Sequence, residues 1–89
     1  KYTLVHGVVT GQGAIEGIEY VHAWVEYNGN VYDYTFPKDF QVMPIEVYYL
    51  LGRVKKDHLY KYSYEQAIKN ALEIGTYGCW EDDLLNDFN

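Results

Sequence analysis

Residues 19–27 alternate without a break: Tyr20, His22, Trp24 and Glu26 fall on one side of an extended chain, and Val21, Ala23 and Val25 on the other. A period of two over nine positions predicts a strand with distinct faces, and Val21, Ala23 and Val25 are assigned to the side that meets the helix predicted over 64–74. Asn28-Gly29 follows at once. That dipeptide readily takes the positive φ angles of a type I′ turn, so residues 31–35 are predicted to pair back as an antiparallel hairpin. Upstream, residues 2–9 are rich in β-branched and aromatic side chains and end in Thr10-Gly11-Gln12-Gly13. This predicts a first strand and then a loop running to about Gly17.

Beyond the hairpin the pattern changes. Residues 36–42 carry Pro37, Lys38 and Asp39 and read as a loop, after which Pro44 can open a short helix over 45–51 that Gly52 stops. Residues 54–62 read as a further strand, with Tyr60 and Tyr62 on one face and Lys61 on the other. Ser63 followed by Gln66 is a capping-box pattern, and Ala67, Ile68, Ala71, Leu72 and Ile74 recur near helical spacing before Gly75. The main helix is therefore predicted over 64–74. A turn at Thr76-Tyr77-Gly78 leads to a short terminal helix over 80–87, whose first-turn acids suit a helix start. Together these elements predict an α+β fold: an antiparallel sheet of three to four strands with one main helix and two short ones. With no repeat or linker in sight, residues 1–89 are expected to form a single domain.

A chain of 89 residues buries only about 60–65% of its unfolded surface, which leaves a modest core and allows a partner chain or a homo-oligomer. Hydrophobic residues at 48% against 22% charged exclude disorder. The longest uncharged apolar run, 47–52, is far short of the ~20 residues of a membrane span, so no membrane association is expected. The first residues lack an apolar signal core, and Cys79 is the single cysteine, which excludes an internal disulfide framework. Both point to a cytoplasmic protein, or to the host cytoplasm if the chain is virus-encoded. Thirteen acidic against seven basic residues give a net charge of −6, which opposes binding to a phosphate backbone; nucleic acid is not expected as a ligand.

The segment His22-Ala23-Trp24-Val25-Glu26, a short turn with Gly29, and Val31-Tyr32-Asp33-Tyr34-Thr35 resembles the histidine and aspartate strands of transglutaminase-like and papain-like cysteine enzymes, over about residues 4–35. The resemblance implies that His22 is the general base and acid and that Asp33 orients its ring. Strand geometry supports the pairing independently. A two-residue turn sets Tyr27 opposite Asn30, Trp24 opposite Asp33 and His22 opposite Thr35, which makes His22 and Asp33 diagonal neighbours on one face. A carboxylate there fixes the imidazole tautomer.

Members of that superfamily usually carry the nucleophilic cysteine on a helix upstream of the histidine, and no cysteine precedes His22 here. Either a segment or partner outside the sequence supplies it, or the order is permuted and Cys79 takes the role. Gly78-Cys79-Trp80, at a predicted helix start, is similar to the Cys-Trp pair of papain-like peptidases, and permuted NlpC-type relatives run histidine before cysteine. A helix start would lower the thiol pKa. The alternative is a lone cysteine serving as a small buried hydrophobe.

Around the candidate catalytic set His22, Asp33 and Cys79, the residues expected to line a ligand pocket are Trp24, Tyr20, Tyr62 and His6, the last if its strand lies beside that of His22. Eleven tyrosines suit such a binding wall, though tyrosines at the edge of a small core would look the same. No spacing among His6, His22 and His58 resembles a zinc site, and no metal or cofactor is expected. Three functions compete: a minimal thiol enzyme acting on an amide bond by hydrolysis or acyl transfer, a non-catalytic module that keeps the hairpin as a pocket, and a small acidic inhibitor of the kind viruses use against a host factor. The expected partner is accordingly a protein, a peptide or a small molecule.

Overall fold

The computed structural model describes residues 1–87, with side chains through Leu84. Five antiparallel strands, β1 (Thr3–Thr10), β2 (Glu19–Tyr27), β3 (Asn30–Tyr32), β4 (Val42–Pro44) and β5 (Tyr60–Ser63), form one sheet in the order β4-β3-β2-β1-β5. Among the described residues three α-helices accompany it: α1 (Ile45–Leu51), α2 (Tyr64–Ile74) and α3 (Asp82–Asp87). The α+β class read from the sequence is the observed one.

Local chemistry explains most of the boundaries. Asn28 and Gly29 take φ of 55° and 83°, and Tyr27 pairs with Asn30, so the hairpin turns in two residues as its sequence dictates. Ser63 caps α2: its hydroxyl accepts from the Gln66 N–H while the Gln66 side chain accepts from the Ser63 N–H, and Gly75 ends the helix in the left-handed region at φ 96°.

Elsewhere the structure departs from the sequence reading. β3 stops at Tyr32 instead of reaching residue 35: the Asp33 N–H still donates to the Gln41 carbonyl at 2.8 Å, but the chain then turns as the Asp33 carboxylate accepts from Thr35 and its carbonyl from the Phe36 N–H. That Gln41 contact brings in β4, an edge strand in a segment read as loop up to residue 42; Pro44, which cannot donate to a ladder, is tolerated at the edge. The strand expected over 54–62 is broken. Arg53 adopts φ 47°, Lys56–His58 make one 3-10 turn, and regular pairing begins only at Tyr60. The terminal helix starts at Asp82 rather than residue 80, so Cys79 and Trp80 lie on an irregular lead-in.

Strand register decides the two faces. Val5, Gly7 and Val9 of β1 stand opposite Trp24, His22 and Tyr20 of β2, and α1 covers this face. Tyr48 of α1 is buried there with Val5, Val9, Trp24, Val31 and Val54 in the main core cluster. The other face carries Leu4, His6 and Val8 of β1, Ala23 of β2, and Tyr60 and Tyr62 of β5. α2 packs against β5 and β1, and Leu4, Val8, Ala67 and Leu84 are buried outside the main cluster. Val21, Ala23 and Val25 are half-buried, whereas the Trp24 face, read from the sequence as the ligand side, holds the main core cluster.

Candidate functional site

His22 and Asp33 meet as the hairpin register predicts. Nε2–H of His22 donates to Asp33 Oδ2 at 2.8 Å, with side chains 16% and 3% exposed. Asp33 takes three further hydrogen bonds: the Thr35 N–H and hydroxyl donate to Oδ1 at 3.1 and 2.6 Å, and the Tyr48 hydroxyl donates to Oδ2 at 2.7 Å. Burial pushes the Asp33 carboxyl up, but the hydrogen bonds from His22, Thr35 and Tyr48, with the His22 charge, outweigh it and hold the group well below the usual carboxylate range. Tyr48 is shifted the opposite way. Burial, then its bond to Asp33 and that residue's charge, keep its phenol protonated far above the ordinary range.

The Asp33 bond fixes the imidazole by Nε2. Among the described residues Nδ1 has no hydrogen-bond partner, and no buried side-chain nitrogen or oxygen lacks one, so Nδ1 reaches the surface. Tyr20 stands edge-on to the ring at 5.9 Å between centroids. Tyr20 and Tyr48 also line a cavity of about 420 Å³ that Phe36, Phe40, Met43 and Leu51 make mainly apolar. His22 itself does not line this cavity; Tyr20, which meets its ring, and Tyr48, which meets Asp33, do.

Other expected members of the site lie elsewhere. Trp24 is no ligand wall: it is 2% exposed, packed against Tyr48 and Tyr49, and its indole N–H donates to the buried Glu26 at 3.1 Å. Glu26 also accepts from the Tyr49 hydroxyl at 2.6 Å and pairs with Lys61 at 3.4 Å. His6 does lie on the strand beside His22, but Gly7 is the residue opposite His22, so the His6 ring enters the other face.

Cys79 is also on that other face. Its thiol points at the main-chain carbonyl of His22 at 3.9 Å, with the sheet between it and the imidazole. Burial and then the charge of Glu81 push the thiol up to about 11, and no helix start assists it. The set His22, Asp33 and Cys79 is thus not assembled in one place.

Cys79 instead joins His6 and Glu81. His6 is wholly buried; Nε2–H donates to the Tyr77 carbonyl at 2.9 Å, and Nδ1 lies 2.9 and 3.2 Å from the two Glu81 oxygens. Glu81 also accepts from the Tyr62 hydroxyl and, at 3.1 Å, from the Trp80 N–H. Trp80 packs edge-on against both His6 and Tyr62. Farther along, the Tyr60 hydroxyl donates to Asp83 at 2.6 Å. Tyr60 and Tyr62 are therefore hydrogen-bond donors that fasten the acidic C-terminal segment to β5, and Tyr62 does not contribute to a pocket with His22. Histidine spacing alone concealed this cluster, because His6 is more than seventy residues from Cys79 and Glu81 and those two are not histidines.

Comparison with protein-family models, with curated proteins and with solved structures returns no match. Among the described residues no helix is long and apolar enough to cross a membrane.

Proposed function

We propose that the domain carries the histidine–aspartate half of a papain-like or transglutaminase-like acyl-transfer site. The observation that carries this reading is the His22–Asp33 bond, braced by Thr35 and Tyr48, with Nδ1 left open. A carboxylate so held keeps one tautomer and stabilises the imidazolium that forms when the ring takes a proton. In this reading a thiol brought to Nδ1 loses its proton to His22, the thiolate attacks an amide carbonyl, and the imidazolium returns the proton to the leaving amine. The thiol is not Cys79, whose place on the opposite face denies it the ring; it comes from a second polypeptide or from further chain. A reducing, cytoplasmic setting suits such a thiol.

The test uses p-nitrophenyl acetate, an ester that an activated imidazole cleaves directly. The chain is expected to hydrolyse it faster than equimolar free imidazole at the same pH, with the excess lost in His22→Ala, reduced about tenfold or more in Asp33→Asn, and unchanged in Cys79→Ser. A rate no greater than that of free imidazole removes the catalytic reading. Loss of the rate in Cys79→Ser would restore the permuted arrangement.

A second reading, a non-catalytic module, is favoured by the apolar cavity that Tyr20 and Tyr48 line. It predicts that an aromatic or aliphatic amide binds the chain and protects Tyr20 in NMR, equally in wild type and His22→Ala, with no ester hydrolysis in either.

A further inference from the structure

We propose that His6, Cys79 and Glu81 bind one divalent transition-metal ion of the zinc type. They offer a nitrogen, a sulfur and an oxygen, all within 4.8 Å of one another. In a tetrahedral zinc site, bonds of about 2.0–2.3 Å set the ligand atoms roughly 3.3–3.6 Å apart. Nδ1 of His6 stands 2.9 and 3.2 Å from the Glu81 oxygens, closer than that spacing, so the pair opens slightly as the thiol joins it.

The surrounding contacts are those that orient metal ligands. The Tyr77 carbonyl can only accept, so Nε2 carries hydrogen, and in the neutral ring the Nδ1 lone pair faces Glu81 and Cys79. Histidine ligands commonly make this kind of outer hydrogen bond, which fixes tautomer and ring angle together. Glu81 is braced in turn by the Tyr62 hydroxyl and the Trp80 N–H. A lone pair 2.9 Å from a carboxylate oxygen needs a cation between them, and the position admits either a proton or a metal ion.

The donor set selects the ion. Magnesium and calcium take oxygen ligands, whereas a thiolate, an imidazole and one carboxylate suit zinc or cobalt. Three protein ligands leave the fourth corner to water. Cys79 is half-buried beside the exposed Tyr77 and Gly78, which gives the ion a way in. As the metal binds it displaces the proton between His6 and Glu81, and the thiol proton leaves with it to solvent. The site is on the opposite face from His22 and is independent of the acyl-transfer reading.

Titration of the metal-free chain with Co²⁺ alone tests the proposal. One equivalent is expected to give the visible bands of tetrahedral cobalt and a near-ultraviolet thiolate charge-transfer band, both displaced by Zn²⁺, and Zn²⁺ is expected to raise the melting midpoint. Cys79→Ser, checked for folding by circular dichroism, loses the charge-transfer band, and Tyr62→Phe weakens affinity about tenfold. Absence of cobalt bands in the folded wild-type chain overturns the proposal and leaves a proton between His6 and Glu81. So do bands unchanged in Cys79→Ser, which place the ion elsewhere.

Discussion

The Cys79 thiol lies 3.9 Å from the carbonyl oxygen of His22, yet the sheet separates it from the imidazole of the same residue. Proximity along the main chain says nothing about side-chain reach in a strand, where successive residues point to opposite sides. The histidine that Cys79 meets is His6, whose ladder partner is Ala23. Two polar clusters therefore back onto each other across the sheet, one around Asp33 and one around Glu81.

The Asp33 carboxyl is held below the usual range, so it stabilises the fold above the unfolded-state pKa of about 4 and that stabilisation is lost as pH falls further. Asp33→Asn is expected to cost about 2–4 kcal/mol at neutral pH. Urea midpoints measured from pH 7 down to pH 2 should fall less steeply for the variant than for wild type. Parallel curves would mean that Asp33 gains nothing from its four hydrogen bonds.

Trp24→Ala empties the centre of the main core and strips Glu26 of an indole donor. A loss of about 3–5 kcal/mol is expected, seen as a large drop in the denaturation midpoint. Tyr20→Ala, at the cavity edge, should stay folded and alter only what the cavity accepts.

Glu81→Ala leaves His6 wholly buried with no partner for Nδ1 other than Cys79. Removing one member of a buried pair costs about 3–5 kcal/mol. Hydrogen exchange should show the segment around Trp80 opening first. Glu65→Ala, which breaks the exposed Lys1–Glu65 pair, should leave the midpoint unchanged and serves as the control.

Gly11→Ala should be poorly tolerated although its backbone is ordinary. A Cβ there would stand 2.5 Å from both Cγ1 and the carbonyl oxygen of Ile15. The loop closes tightly through the Gly11 N–H to Ile18 and the Gly17 N–H to Gly11, at 2.7 and 3.1 Å. A destabilisation of about 1–3 kcal/mol is expected by thermal melting, with the cavity it lines reshaped.

Where local chemistry is decisive, the sequence was a sufficient guide. Asn28-Gly29 determines a two-residue turn, the turn determines the register, and the register brings Asp33 to His22 before any other contact is considered. Ser63 and Gln66 likewise determine the start of α2 by pairing with each other's backbone. Only the tertiary structure decided what covers each face. The alternation in β2 is symmetric, with Trp24 on one side and valines on the other, and α1 settled on the Trp24 side because Tyr48 could reach both the core and Asp33. β4 forms because the chain after the hairpin returns to pair along residues 30–33, and the partner of Cys79 was set by where the chain after α2 returns across β1. Such contacts join residues far apart in sequence, whose meeting depends on the packing of every element between them, and no local pattern encodes that.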